Sequence, residues 1–376
     1  MQVYVHLPLC RRKCRYCAFA SWEFSSEAAA RVVDLIVAHV GRWSAQGIGP
    51  ARTIYIGGGT PSLWEVRQLA RILAAVDQAL GIAAGAEVTV EANPESALRP
   101  GWMAALGDLG VTRISLGVQS FDDQTLAFLG RPHDGAQAVA AVQAAVATGL
   151  AVSVDLLWNV PGVSLAQWQQ DLAGAVGLGV GHVSCYALTA EPGTPLAADP
   201  VPWPSEDEAS AQFHWTCQFL EERGFMHYEL ANFARPGAAC RHNLGYWRGE
   251  DYLGFGPAAV STWQGRRWTN PAFLEDYGLM VEGALAPEAE SLSPAVALRE
   301  RVMLGLRTQD GFDVASWAWG LGRDVAGFGA ALEPLVQAGL VVWDGISVRL
   351  SRQGMLLGNA ICAHIWDILE SEMETT

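Results

Sequence analysis

The sequence predicts an α/β fold, a partial β/α barrel followed by a smaller C-terminal α+β domain. Three observations carry that expectation. Short β-branched runs alternate with Ala-rich helical stretches through the first half of the chain. Strands separated by helices pair in parallel through right-handed crossovers, and six such units make most of a barrel. The alternation then stops after Ala187, and a different pattern takes over. An open doubly wound sheet is the alternative arrangement of the same units.

The strands are expected at 3–6, 53–57, 88–91, 113–117, 152–157 and 182–187. Each is a brief run dominated by Val, Ile, Leu or Thr, as a strand buried on both faces requires. Helical periodicity lies between them at 27–40, 63–80, 100–109, 136–147 and 165–176. Prolines at 192, 195, 200, 202 and 204 mark a crossing loop, a helix follows at 206–223, and 225–260 reads as loop-rich. Near the end, 331–338, 339–343 and 347–350 read as helix, strand, turn and strand, which resembles a winged helix. The expected division is a barrel over 1–190, a linker region over 191–290 and an accessory domain over 291–376.

Composition narrows the function. Against 24 Lys plus Arg stand 39 Asp plus Glu, a formal charge of −15 that disfavours nucleic acid as a partner. An apolar fraction of 51% supports a substantial core. Seven cysteines, odd in number and irregular in spacing, make a poor disulfide framework. Residues 1–9 show no basic-then-apolar leader, and the apolar stretch 138–160 is broken by Gln143, Thr148, Ser153 and Asp155. The expectation is a cytoplasmic chain in a compartment that keeps thiols reduced.

Cys10-Arg-Arg-Lys-Cys14-Arg-Tyr-Cys17 follows the first strand. Three thiolates so close can hold three irons of a [4Fe–4S] cubane and leave the fourth iron open to S-adenosylmethionine (SAM). A Cys3His zinc site using His6 or another histidine is one competing reading, and three unrelated buried cysteines is a second. Arg11, Arg12, Lys13 and Arg15 surround the thiols and are expected to lower their pKa and to dock an acidic electron donor such as flavodoxin or ferredoxin. Gly57-Gly58-Gly59-Thr60 ends the second strand, where glycines let a ligand approach the backbone. Glu91, Gln119 and Asp155 end strands three, four and five and supply acceptors for the SAM ammonium and ribose hydroxyls, while Arg131 suits its carboxylate. Singly, each of these reads equally well as loop capping.

Together these residues resemble the coproporphyrinogen dehydrogenase-like radical SAM family. The resemblance runs through Tyr4-Val-His6-Leu-Pro8-Leu-Cys10, GGGTPS, EANPE, GVQSF, Asp155 to Gly162, and Leu298 to Arg307. It implies a partial (β/α)6 radical SAM barrel, with Tyr4, Gly58, Gly59, Thr60, Glu91, Gln119, Arg131 and Asp155 as SAM contacts and Cys10, Cys14 and Cys17 as cluster ligands. Trp158-Asn159-Val160 stands where the family usually has Tyr-Gly-Leu.

The family comprises oxygen-independent coproporphyrinogen III dehydrogenases and HemW-like haem chaperones. The dehydrogenases carry a fourth cysteine two residues beyond the third, where this chain has Phe19, and an extension before the first strand. Arg241-His242-Asn243-Leu-Gly-Tyr246-Trp247 is similar to the chaperones' HNxxYW motif. The resemblance therefore implies a haem chaperone, with haem and haem-acceptor proteins as partners, a homodimer, and a peripheral place at the membrane. It also implies His242 as haem ligand, with Cys240 as a competing thiolate. The dehydrogenase stays as the alternative, as does another radical SAM reaction such as methyl transfer, and so does a purely structural role for His242.

Overall fold

The computed structural model describes all residues except 45, 316, 318–325 and 375–376. The chain divides into two compact units, Met1–Thr216 with Asp251–Ser291, and Cys217–Glu250 with Leu292–Thr376.

The first unit is built on a largely parallel sheet. Its strands are β1 (Gln2–Leu7), β2 (Ala51–Gly58), β3 (Ile82–Ala92), β4 (Arg113–Gln119), β5 (Ala151–Trp158), β6 (His182–Ala187), β7 (Tyr252–Phe255), β8 (Val260–Trp263), β9 (Arg266–Thr269) and β10 (Glu288–Ser291). Their order is β10-β9-β8-β7-β1-β2-β3-β4-β5-β6, so the barrel is open. Pairing is parallel from β7 to β6 and antiparallel from β7 outward to β10.

Alternation along each strand positions the site. Val3, Val5, Leu7, Ile54, Ile56, Val90, Ile114, Leu116, Val154 and Leu156 are fully buried. The residues between them, Tyr4, Tyr55, Glu91, Gly117 and Asp155, fall on the opposite face, because successive side chains in a strand point to opposite sides.

Helices lie where the periodicity puts them, with starts set by local caps. α1 (Ser26–Gly41) is capped by Ser25, whose side chain accepts from the Ala28 N–H. The second helix begins at Val66, later than its pattern, because Pro61–Leu63 forms a 3-10 turn and Glu65 with Gln68 forms a capping box. Asp123–Leu129 and Arg241–Trp247 are among the short helices outside the predicted set, as is Leu274–Glu282. The stretch 225–260 is thus less loop-rich than expected, since it holds the strands Met226–His227 and Asn232–Ala234, the second of those helices, and β7. Seven residues with Gly245 inside are too few to show helical periodicity.

The second unit has its own core, centred on Leu306, Val314, Leu332, Val348, Ile365 and Leu369. An antiparallel sheet, Phe312–Asp313 with Ser347–Leu350 with Val341–Trp343, packs with helices Pro294–Gly305, Ala326–Gln337 and Gly358–Glu374, the α+β arrangement expected. Among the described residues, no helix is long and apolar enough to cross a membrane.

Candidate active site

At the C-terminal ends of the parallel strands lies a cavity of about 550 Å³, within the range of small-molecule sites. Cys10, Cys14 and Cys17 line it together with Gly58, Gly59, Thr60, Glu91, Gln119, Arg131 and Asp155. The structure thus gathers on one wall residues spread over more than half of the first unit's sequence. Tyr4 is not among the lining residues, and its hydroxyl lies 2.9 Å from His6 Nδ1. His242 belongs to the second unit.

The cysteine loop is tied down by its backbone. The Arg15 N–H donates to Leu129 O at 3.1 Å, the Leu196 N–H to Arg15 O at 2.9 Å, and Arg15 Nη1 to Phe128 O at 2.8 Å. Arg15 also pairs with Asp199, so it points away from the thiols. Lys13 donates to Phe19 O at 3.1 Å. The cation that reaches a cysteine is Arg131, whose Nη1 lies 3.3 Å from Cys14 Sγ. This corrects the expectation of lowered thiol pKa values, because burial pushes Cys10 and Cys17 up and the nearby cations only partly offset it.

Arg131 is the hub of the wall. Its Nη2 donates to Asn93 Oδ1 and to Gly117 O, both at 2.6 Å, and Asn93 Nδ2 donates in turn to Thr60 Oγ1 at 3.1 Å. Thr60 Oγ1 lies 3.5 Å from Cys10 Sγ. Burial opposes the charge of Arg131, but Tyr16 and Cys14 beside it hold the guanidinium protonated. Its buried Nε has no hydrogen-bond partner and so keeps one donor in reserve.

Glu91 accepts from Tyr55 Oη at 2.7 Å and from the Gly58 N–H at 3.0 Å. Burial raises its pKa to about 7, and Asp155 across the sheet adds to the rise. Asp155 accepts from Ser115 Oγ at 3.3 Å, and burial raises it to about 6. Both carboxyls therefore bind protons more tightly folded than unfolded. For Glu91 the folded chain holds the extra proton between its ordinary 4.5 and about 7, so stability falls as pH rises through that window. Glu91→Gln, which has no proton to lose, is expected to flatten the fall, as urea midpoints between pH 5 and 8 will show.

Two glycines are required by close approach. A Cβ on Gly58, at φ +114°, would lie 2.6 Å from the His6 ring, and one on Gly59 would lie 2.6 Å from Leu9 O. Gln119 adopts φ +70° where the register between β4 and β5 shifts, a bulge that re-aims its side chain at the strand end. Asn159, where the family usually has glycine, takes φ +60° and donates Nδ2 to Leu188 O at 3.1 Å. Asn tolerates that left-handed conformation, so the departure leaves the loop intact.

The donor set fits an iron–sulfur cluster with a polar organic ligand better than a zinc ion. His6, the imidazole a Cys3His site would use, has Nδ1 engaged by Tyr4 and Nε2 by Ala20 O at 3.0 Å. Sequence reasoning missed Tyr55, Asn93 and Ser115, each ordinary alone and legible only through its partner. Phe19 lies at the mouth, 64% exposed.

In the second unit, His242 sits in the first turn of Arg241–Trp247, 1% exposed, with its ring edge-on to Tyr246 at 4.8 Å. Burial lowers its pKa to about 3, which keeps the imidazole neutral. A cavity of about 590 Å³ lies against the same helix, lined by Leu244, Trp247, Arg248, Leu298, Arg301 and Trp317 among others.

The family profile described as Radical SAM superfamily matches residues 4–173, and that of the HemN C-terminal domain matches 292–357. The chain is 35% identical over 370 residues to the protein named Heme chaperone HemW of Mycobacterium tuberculosis (strain ATCC 25618 / H37Rv), covering 96% of this chain and 93% of the relative. It is 37% identical over 338 residues to Heme chaperone HemW of Synechocystis sp., covering 84% and 79%. The solved structure of coproporphyrinogen III oxidase (HemN) from Escherichia coli, described as a radical SAM enzyme, superposes with a TM-score of 0.83 over 97% of this chain and 89% of that one. At 22% identity that is a likeness of fold. A radical SAM domain implies a [4Fe–4S] cluster and SAM.

Proposed function

The chain belongs to the radical SAM superfamily and, within it, to the HemW-like heme chaperones, and from that premise we propose that it binds haem and passes it to acceptor proteins. In this reading Cys10, Cys14 and Cys17 hold the cluster, with SAM beside it. The observation that supports it is the meeting of the three cysteines with Glu91, Gln119, Arg131 and Asp155 on one wall.

When bound, the cluster and SAM together supply one-electron reduction of a sulfonium. The chain's own residues bind and orient. Glu91 is placed to accept from an ammonium, which favours its ionised form against burial. Gly58 and Gly59 bring backbone groups close, Asp155 accepts hydroxyls, and Arg131 offers its unpartnered Nε to a carboxylate. Arg11 and Arg12, exposed on the loop, are positioned for an acidic donor such as flavodoxin or ferredoxin. Phe19, in place of a fourth cysteine, speaks against coproporphyrinogen as substrate.

For haem, Leu244 and Trp247 offer an apolar wall and Arg301 offers a cation for a propionate, while Arg248 is paired with Asp310 at 3.1 Å. His242 is neutral, as an axial ligand must be, but it lies beneath the surface, so ligation requires the short helix to turn outward. The purified chain is expected to bind haem with a Soret band typical of histidine ligation. His242→Ala should shift or diminish that band, and Cys240→Ala should leave it largely intact. On the same anaerobically reconstituted sample, coproporphyrinogen should persist in the presence of SAM and reductant. Formation of protoporphyrinogen would move the chain to the dehydrogenases.

A further inference from the structure

A second concavity in the first unit, of about 630 Å³, shares no lining residue with the cysteine cavity. It lies where the end of α1 meets the β8–β9 hairpin and the segment 283–289. Three tryptophans line it. Trp43 stacks on Trp268 with ring centroids 5.9 Å apart and planes 6° apart, and Trp263 meets Trp43 edge-on at 5.3 Å. Arg42 and Arg266 also line it, and none of the lining residues is acidic, in a chain of formal charge −15. Arg42 uses Nη1 to cap Met280 O and Val281 O at 3.0 and 2.7 Å, which leaves Nη2 for a ligand. Arg266 is exposed and has no ion-pair partner among the described residues, whereas its neighbour Arg267 is committed to Glu290 at 3.7 Å.

His39 completes the wall and is 7% exposed. Its Nδ1 is held by Tyr277 Oη at 3.0 Å, and its ring packs edge-on against Phe255 at 5.0 Å. Among the described residues Nε2 of this ring has no hydrogen-bond partner, and it presents a lone pair when Nδ1 donates to Tyr277 Oη, which also accepts from the Gly256 N–H at 2.9 Å. An imidazole fixed through one nitrogen with the other unclaimed is the arrangement metal-ligating histidines use. Burial, with Arg42 adding to it, pushes its pKa down to about 4, so it is neutral at physiological pH.

A ligand for this wall must be flat, aromatic and anionic. The Trp43–Trp268 spacing is less than two contacts of about 3.5 Å, so a ring lies along the pair rather than between its members. We propose that this pocket binds a planar tetrapyrrole carboxylate, with its ring against the tryptophans, its carboxylates on Arg42 and Arg266, and His39 Nε2 as axial ligand where the ring carries iron. The choice of occupant rests on the haem reading above; the pocket itself does not. It gives the chain a haem position in the first unit, independent of His242.

The test titrates haem and, separately, metal-free protoporphyrin into the full reconstituted chain, read by tryptophan quenching and the Soret band. A His242→Phe background should still bind haem. Adding Arg266→Glu, an exposed change that leaves the fold alone, should weaken both porphyrins at least tenfold. Adding His39→Phe, which keeps the aromatic packing, should alter the haem Soret band while protoporphyrin binds nearly as before. If His242→Phe abolishes both porphyrins, or if the Arg266 and His39 variants bind both like the parent, the pocket proposal is overturned and the chaperone reading stands. If the parent binds no haem, the chaperone reading fails instead. Protoporphyrin binding that depends on Arg266 would then still uphold the pocket, and loss of that as well overturns both.

Discussion

Cys14→Ala is expected to leave the anaerobically reconstituted chain with essentially no cluster iron, against about four irons per chain for a full cubane in the parent. Cys14 is the most enclosed of the three thiols, 8% exposed, and it alone is in contact with Arg131. Its loop is held by hydrogen bonds from Arg15 to Phe128 and Leu129 and from Leu196 to Arg15, none of which involves a thiol. Loss of iron should therefore come from loss of a ligand, with the fold retained. Iron and sulfide content measure the first, and circular dichroism with thermal unfolding measures the second. Full iron occupancy in the variant would remove Cys14 from the ligand set.

Arg131→Met is expected to cost more stability than any other single change in the cavity, about 2–6 kcal/mol, from roughly 1–3 kcal/mol for each of the two buried acceptors it leaves unsatisfied. The methionine fills similar volume but leaves Asn93 Oδ1 and Gly117 O without their donor, each a charge-assisted bond of 2.6 Å. SAM affinity should fall about tenfold to a hundredfold besides, the equivalent of one charged hydrogen bond. Arg131→Lys separates charge from geometry: an ammonium restores the positive charge but cannot make the planar fork, so it should recover stability only in part. Denaturant unfolding and SAM titration on the same samples check both effects. Parent-like unfolding of Arg131→Met would show that the fork is not what joins the strand ends.

Much of the site was legible because a parallel sheet sends its chemistry to one end. Gly58, Glu91, Gln119 and Asp155 each sit at or near the close of a run of β-branched residues, and any such run ends at the cavity. What could not be read is what depends on a partner far along the chain. The three arginines and the lysine of the cysteine loop look like the cations that tune the thiols, yet Arg15 turns to Phe128 and Asp199 while a residue over a hundred positions away supplies the contact. Sequence proximity gives no direction to a long side chain. The strand β7 escaped notice because it is four residues with Gly254 inside, too short and too irregular for a period-2 pattern. Its place beside β1 comes from register, Val3 opposite Leu253 and Val5 opposite Phe255.

That pairing sets the order of events during synthesis. β1 emerges from the ribosome first and pairs on one side with β2, but its other neighbour is encoded about two hundred and fifty residues later, after an excursion through part of the second unit. At roughly 5–20 residues per second, the edge of the strand that leads into the cysteine loop stays unpaired for tens of seconds. An open parallel edge next to three thiols is a site for oxidation and for strand-to-strand aggregation. Release of the nascent chain near residue 216 should therefore yield a sticky, oxygen-sensitive fragment, and release of the whole chain, with both units complete, should not.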